Sequence, residues 1–208
     1  TPVHISPSFD NWSASGGLAY QLNADLMLVG SISEGFRAPN LDDLASNNDN
    51  VQQAVADTPS IDLLPETSLS YEVALRKETD DLRWQATTFW MDIDNMILRT
   101  PAGSDGTSIL FSRSNRDSKI NGFEFYAEKR VDYNWTLYGN FSYILGQDQV
   151  LNEPHSRIPP TQGIMGLRWR NSDKYEYLDF YAWLVRRQDR LNFQDISDNR
   201  IPNGGTPG

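Results

Sequence analysis

The sequence predicts an all-β protein, an antiparallel up-and-down sheet of about eight strands that forms a segment of a transmembrane β-barrel. Three observations lead to this prediction. Several segments alternate apolar with polar residues, and short and long polar connections alternate along the chain. In addition, no apolar run approaches the ~18 residues that a membrane helix requires.

The composition is compatible with this class but does not select it. The chain has 208 residues, of which 38% are hydrophobic, and its mean hydropathy is −0.56. A barrel strand exposes only alternate residues to lipid, so its average hydropathy stays low. The net charge of −10 argues against a nucleic-acid surface. The absence of cysteine excludes disulfides and thiolate sites, and Thr1–His4 carry no feature of a secretion signal.

The strands are predicted in chain order from their period of two. The clearest segment places Trp135, Leu137 and Phe141 on one face and Asn140 on the other. Leu69, Tyr71, Val73 and Leu75 oppose Ser68, Ser70, Glu72 and Arg76 in the same way, and Phe123, Phe125 and Ala127 oppose Glu124, Tyr126 and Glu128. The eight segments cover residues 16–22, 26–36, 68–76, 82–98, 123–128, 135–145, 163–170 and 177–192. The faces of 82–98 stay unassigned because both phases of that segment are mixed.

The connections are sorted by length. Short polar turns are predicted at residues 23–25, 79–81, 132–134 and 171–174, and long connections at 37–65, 99–118 and 146–160. Outer-membrane barrels place short turns at the periplasmic rim and long loops outside the cell. Aromatic residues lie near both rims: Tyr20, Trp84, Trp135 and Trp169 near short turns, and Phe36, Trp90 and Tyr143 nearer long ones. They are interpreted either as two interfacial belts or as the ordinary preference of aromatic residues for strands.

Two other architectures fit the same alternation. One is a small closed barrel of eight strands, acting as an outer-membrane enzyme or adhesin, which would pair 16–22 with 177–192. The other is a soluble β-sandwich that acts as a binding module. An open sheet, in contrast, leaves 16–22 and 177–192 as unpaired edges.

The segment after the second strand is the best candidate for ligand binding. Phe36, Arg37, Asn40, Asp42 and Asp43 combine an aromatic ring, a guanidinium, a turn and two carboxylates where a long connection begins. Arginine suits bidentate recognition of carboxylate or phosphate groups. The alternative interpretation is structural, with Pro39 stiffening the exit of the loop and Asn40 or Asp42 capping a turn.

A second candidate set lies in the later loops. Arg113, Arg116 and Arg157 are predicted to be loop arginines near His155, where they would receive an anionic ligand such as a ferric chelate. The competing interpretation is ordinary solvated charge. His4 and His155 are the only histidines, so neither a His-rich metal site nor a hydrolase triad with a choice of base is expected.

Several short sequence motifs resemble motifs of TonB-dependent outer-membrane receptors, and they occur along the chain in the same order as in that family. The phrase Ser33-Glu34-Gly35-Phe36-Arg37-Ala38-Pro39-Asn40-Leu41 resembles the start of an extracellular loop in the family. Similar phrases follow at 63–68, 89–97, 119–124, 157–160 and 200–208. The resemblance covers nearly the whole chain.

The resemblance implies a barrel of about 22 strands with a plugged lumen. Residues 1–208 would then be part of the barrel domain, without the plug domain and the terminal strands. The whole protein is expected to be a receptor of the Gram-negative outer membrane, not an enzyme, that imports a scarce nutrient, most commonly a ferric siderophore. Its implied partners are the TonB complex, acting through the plug, outer-membrane lipid and the small-molecule ligand, with no nucleic acid and no cofactor. Haem receptors of this family usually carry a histidine between this loop motif and the next strand, and residues 40–65 contain none.

Overall fold

The computed structural model describes residues 8–50, 54–171, 173–198, 200–202 and 204–206. Thr1–His4 lie outside the described residues. The strands are β1 Ser15–Asn23, β2 Leu26–Arg37, β3 Asp49–Asn50, β4 Val55–Asp57, β5 Glu66–Glu78, β6 Leu82–Ser104, β7 Ile109–Arg130, β8 Trp135–Asp148, β9 Gln162–Asn171 and β10 Glu176–Val185. The helices are α1 Leu41–Ala45 and α2 Phe193–Ser197. Within the described residues, no helix is long and apolar enough to cross a membrane.

The long strands form one antiparallel meander in the order β1-β2-β5-β6-β7-β8-β9-β10. Two short strands lie outside this meander. Strand β3 pairs with β4, and β4 runs parallel to the start of β7, from Ile109 to Phe111. In the described sheet β1 and β10 are the two edges and do not pair with each other. The prediction of an open up-and-down sheet is therefore confirmed. The closed eight-stranded barrel, which requires that pairing, is contradicted.

The register gives the sheet two chemically different faces, as the alternation predicts. Val73 lies opposite Gly30 and Thr88, and Thr88 lies opposite Phe123, so these positions share one face. We call this the apolar face. It exposes the large side chains Leu18, Tyr20, Leu28, Ile32, Tyr71, Val73, Trp90, Phe123, Phe125, Leu137, Phe141, Tyr143, Met165, Leu167, Leu178, Phe180 and Leu184. A continuous exposed apolar surface of this kind requires a partner phase or protein.

The opposite face, here called the polar face, carries charged pairs that run between neighbouring strands. Arg83 on β6 pairs with Glu128 on β7 at 3.0 Å, and the Tyr126 hydroxyl donates to the same carboxylate at 2.8 Å. Arg168 on β9 pairs with Asp179 on β10 at 2.7 Å. The two ion pairs are cross-strand side-chain pairs, which stabilise sheets, and the Tyr126 contact lies within β7.

The faces of β6, unassigned from the sequence, are settled by the register. Trp84 lies opposite Ala127 on the apolar face, and Trp90 lies opposite Tyr71 on the same face. Phe89, opposite Gly122, lies on the polar face. The sequence pattern is ambiguous because the polar face also carries bulky side chains here. Gly122 permits the approach of Phe89, since a Cβ at Gly122 would lie 2.5 Å from the Phe89 ring.

The prediction of a long loop at 99–118 is wrong. Strands β6 and β7 continue through most of that range, and only residues 105–108 connect them. The Asp105 carboxylate closes this turn by accepting from the backbone N–H groups of Thr107 and Ser108. The paired strands there carry polar residues on both faces, so the hydrophobic period on which strand prediction depends is lost.

The predicted end of the last strand is also wrong. Strand β10 ends at Val185, and residues 186–192 leave the sheet before α2. The sequence turns from apolar alternation to Arg186-Arg187-Gln188-Asp189-Arg190 at this point. The predicted loop at 37–65 contains α1, β3 and β4, and the connection after β8 begins at residue 149. The predicted turn at 171–174 includes Ser172, which lies outside the described residues.

The apolar face predicts the effect of a buried charge in lipid. Val73, near the middle of β5, is 43% exposed on this face. In the full-length protein Val73→Arg is expected to cost about 2–4 kcal/mol of folding free energy, the range for a charge facing lipid near the midplane. Urea titration of refolding into lipid vesicles measures it. Ser70→Arg, on the polar face of the same strand, is the matched control and should change little. The reverse ranking of the two variants would contradict the assignment of faces.

Candidate functional site

The loop that follows β2 is fixed at its start by a short capped helix. The Asn40 side-chain oxygen accepts from the Asp43 backbone N–H at 2.8 Å, and the Asp43 carboxylate accepts from the Asn40 N–H at 3.1 Å. This reciprocal capping box begins α1. Leu44 is buried with Leu63 and Ile97, so α1 is held against the end of the loop and the outer part of β6.

Arg37 links this helix to the strands beneath it. Its Nε and Nη2 donate to the two oxygens of Glu66 at 2.9 and 2.8 Å, and its Nη1 donates to Asp43 at 2.8 Å. Glu66 also accepts from the Ile97 backbone N–H at 2.6 Å. One guanidinium and one carboxylate thus connect β2, α1, β5 and β6. The fork geometry of arginine is suited to this double contact.

Phe36 lies on the other side of the sheet from Arg37. It is opposite Thr67 in the register, and by alternation it shares the apolar face with Ile32. Asp42 is in the first turn of α1 and is largely exposed. The first predicted ligand set is therefore divided. Arg37, Asn40 and Asp43 hold one another in place. Phe36 lies on the other face of the sheet, and the Asp42 side chain is largely exposed.

A second arginine network joins the loop to the long β6–β7 hairpin. Arg99 donates to Asp57 at 2.6 Å, and its guanidinium lies 3.7 Å from the centroid of the Phe111 ring. Arg113 contacts Asp57 and Asp42, each at 3.4 Å. Asp57, at the end of β4, thus lies between two arginines and anchors the loop to the hairpin.

Arg113 and Arg116 were expected in a loop, and this placement is wrong because both lie within β7. Arg116 pairs with Asp148 at 3.0 Å, and Asp148 also accepts from the backbone N–H groups of Val150 and Leu151. Both arginines thus have acidic partners and fix neighbouring segments. Arg157 differs, since it is exposed with a φ of 63° and forms no ion pair with any described residue.

His155 is buried in the connection between β8 and β9. It is 7% exposed, and its backbone N–H donates to the Gly146 carbonyl at 3.1 Å. Its Nε2 finds no partner among the described residues. Burial lowers the pKa of His155 below its ordinary value, and the nearby Asp148 carboxylate partly opposes this effect. His155 is thus held neutral near neutral pH.

The structure brings to His155 a group of arginines that the sequence analysis did not select. A cleft of 160 Å³ lies between the β8–β9 connection and the segment after β10, and its lining includes His155, Arg186, Arg187 and Arg190. The sequence analysis placed these arginines in the strand predicted over 177–192 and therefore did not select them as site residues. The available signal was the loss of alternation at Arg186-Arg187. Within the described residues no group of three or more His, Cys, Asp or Glu side chains is placed to hold a metal ion.

Comparison with known proteins gives one family match and several similar structures. The family model described as "TonB dependent receptor-like, beta-barrel" matches residues 3–207. No curated protein matches. The copper transporter OprC has a TM-score of 0.74 at 18% identity, over 86% of this chain and 27% of that chain.

Two further structures are siderophore receptors by name. The receptor PirA from Acinetobacter baumannii has a TM-score of 0.69 at 20% identity, over 88% of this chain and 30% of that one. A mutant of the ferric enterobactin receptor PfeA from Pseudomonas aeruginosa, in complex with enterobactin, has a TM-score of 0.65 at 21% identity, over 78% of this chain and 26% of that one. The chain thus spans less than a third of the length of any of these three proteins, and the likeness shows a shared fold.

Loss of the Arg37 contacts is expected to loosen the loop start. Side chains of this network are partly exposed, so Arg37→Ala should cost about 1–2 kcal/mol locally, which corresponds to about fivefold to thirtyfold faster amide exchange at residues 40–46. Arg37→Lys keeps the charge but loses the fork and should be intermediate. Hydrogen–deuterium exchange of the full-length protein measures this effect. Arg170→Ala, at an exposed position on the opposite rim, is the control. Unchanged exchange in Arg37→Ala would refute the linking role.

The buried His155 predicts a pH dependence of its connection. The pKa of His155 is lowered while the β8–β9 connection is folded over it, so the imidazole binds a proton more readily when this connection is locally unfolded. Stability is complete above the ordinary value of 6.5 and is lost as the pH falls below it. The Asp148 carboxylate, which pairs with Arg116 at 3.0 Å, favours the protonated imidazole and offsets part of this effect. Arg186, Arg187 and Arg190 line the same cleft as His155.

We therefore expect amide exchange at residues 149–161 to increase between about pH 7.5 and about pH 5, after correction for intrinsic exchange. His155→Gln should remove most of this increase because glutamine does not titrate. An equal increase in the variant would assign the effect to another group.

Proposed function

We propose a function for the whole protein from the family to which this chain belongs, the TonB-dependent receptor β-barrels. The whole protein is an outer-membrane receptor that binds a scarce nutrient and imports it with energy supplied through TonB. The family match over residues 3–207 is the observation that carries this proposal. The family consists of receptors and transporters, not enzymes. Function, partners and location of the whole protein are inferred from this membership.

The surface chemistry of the sheet supports a location in the outer membrane. The apolar face exposes large aliphatic and aromatic side chains along every long strand. By the register, Tyr20, Trp84, Trp135 and Trp169 lie on this face near the short turns, and Phe36, Trp90 and Tyr143 lie on it nearer the other rim. Two aromatic belts around an apolar band are typical of proteins that span the bilayer as barrels. Lipid is therefore the proposed partner of the apolar face.

The polar face would line the lumen of the complete barrel. It contains an open recess whose lining includes Glu124, Tyr126, Asn140 and Trp183. In the proposed mechanism a plug domain, contributed by another part of the protein, occupies the lumen and is rearranged by the TonB complex. Polar and charged groups on this face would form hydrogen bonds with that plug, because unpaired buried polar groups are costly.

A ferric siderophore is the proposed nutrient. The similar structures include PirA, named as a siderophore receptor, and PfeA, named as a ferric enterobactin receptor. The rim presents arginines, which suit an anionic chelate. Arg157 forms no ion pair with any residue that the structure describes and is a ligand candidate. Arg37, Asn40, Asp43, Arg113 and Arg116 would act mainly by shaping the loops that meet the ligand. Phe36, Asp42 and His155 complete the candidate set.

Binding titrations of the full-length protein test the substrate class. We expect ferric siderophores to bind more tightly than cobalamin, haem or glycans, and to be taken up only by cells with an intact TonB system. Isothermal titration calorimetry in detergent and uptake of labelled ferric chelate measure these two properties. Tight haem binding would contradict the argument from the histidine-free residues 40–65. Uptake that persists without TonB would contradict the mechanism.

A further inference from the structure

The cleft beside His155 is built from two segments that are distant in the chain. The Gln188 side chain donates to the Ile158 carbonyl at 2.8 Å, and the Arg186 backbone N–H donates to the Thr161 carbonyl at 2.8 Å. Arg190 donates to the Gln147 side-chain oxygen at 2.8 Å. The segment after β10 is thus hydrogen-bonded along one side of the β8–β9 connection.

The floor of this region lies over the outer end of β8. Gly146 is opposite Ile120 in the register and lies on the polar face. A Cβ at Gly146 would lie 2.8 Å from the Ile158 Cδ1 and 3.0 Å from the His155 Cδ2. The connection therefore packs directly on the strand, which is possible only because residue 146 has no side chain. The cleft is on the lumen side of the proposed barrel.

The charge of the lining is opposite to that of the chain. The whole chain carries a formal net charge of −10. The lining contains three arginines, Arg186, Arg187 and Arg190, and one acid, Asp189, so its formal charge is +2. Arg190 contacts a neutral amide, and neither Arg186 nor Arg190 forms an ion pair with any described residue. Elsewhere at this rim, Arg37, Arg99, Arg113 and Arg116 all have carboxylate partners.

The unpartnered imidazole is an independent sign of a missing ligand. A buried polar atom without a hydrogen bond costs about 1–3 kcal/mol, and native structures contain few such atoms. The His155 Nε2 has no partner among the described residues although the side chain is more than nine-tenths buried. The Nε2 atom is closed to solvent in this conformation, so an oxygen atom in the adjoining cleft would satisfy an Nε2–H donor once the imidazole turns towards it.

We propose that this cleft binds a small oxyanion, a carboxylate or phosphate group, with Arg186 and Arg190 as its charged partners and the Nε2–H of His155 as a further donor. The volume of 160 Å³ is below the ~300–1,000 Å³ of pockets that enclose whole drug-sized ligands. It therefore accepts one anionic arm of a larger ligand or a free anion. Insofar as this ligand is the imported nutrient, the inference rests on the proposed function.

The test uses the full-length protein in detergent with citrate and inorganic phosphate as probes. Calorimetric titration of the wild type should detect binding of at least one probe, weakened by added salt as expected for an ionic site. Binding of citrate alone identifies a carboxylate site, and binding of phosphate alone identifies a phosphate site. The double variant Arg186→Gln/Arg190→Gln should raise the Kd about tenfold or more, which is the effect of losing about 1.4 kcal/mol. Arg170→Gln, on the opposite rim, should leave the Kd unchanged.

A single variant provides a second comparison in case the double variant does not fold. If circular dichroism shows that the double variant does not fold, Arg186→Gln alone carries the comparison, since this side chain is exposed. No binding of either probe, or equal affinity in wild type and variant, overturns the proposal. Probe binding needs neither TonB nor an energised membrane. Failed titration with intact uptake of ferric chelate therefore rejects the cleft alone, and intact titration without uptake rejects the import function alone.

Discussion

The rest of the structure depends on one continuous ladder of backbone hydrogen bonds that runs from β1 to β10. Each long strand pairs with its neighbours in the meander, so the peptide groups of the inner strands are satisfied without water. This condition is what a hydrocarbon environment demands, because an unpaired N–H or C=O group there costs several kcal/mol. The ladder also fixes the register, and the register decides which side chains face outward. A slip of one residue would move Val73 and Phe125 to the polar face and place Glu72 and Glu124 outside.

The ladder of backbone hydrogen bonds continues beyond the apolar band, and there the strands are stabilised by other interactions. The β6–β7 hairpin extends to Ser104 and Ile109, although its outer part lacks an apolar face. Its stability there comes from backbone pairing, from the Asp105 turn and from the loop that docks on it through β4. The irregular registers between Ile93 and Met96 and between Pro101 and Gly103 lie in this outer region. Bulges are frequent at the rims of barrels, where they redirect the strand.

The arginines of the outer rim are of two kinds, and the difference bears on function. Arg37, Arg99, Arg113 and Arg116 are matched with Glu66, Asp57 and Asp148, and these pairs hold the loops to the strands. Partly exposed ion pairs contribute little one by one. The carboxylates paired with Arg37 and Arg116 also accept backbone N–H groups, and Arg99 also lies over the Phe111 ring. Arg186 and Arg190 lie instead beside a buried imidazole. A rim whose arginines are paired with carboxylates, beside a small basic cleft, would let a ligand meet a preorganised site, which reduces the entropic cost of binding.

The sequence by itself determined the faces of the clearly alternating strands and the family, whereas the tertiary structure decided the faces of β6, the open edges and the contacts of the rim. Val73, Phe125 and Leu137 could be assigned because lipid-facing and lumen-facing positions alternate with a strict period of two, and this period is local. The contacts of the rim have no period. Arg37 meets a partner 29 residues away and Arg113 one 71 residues away, and any nearby acid in the sequence was an equal candidate. The same limit explains the loop assigned at 99–118 and the strand extended to 192. Once apolar alternation stops, only the folded backbone shows which segments pair and which charges remain without a partner.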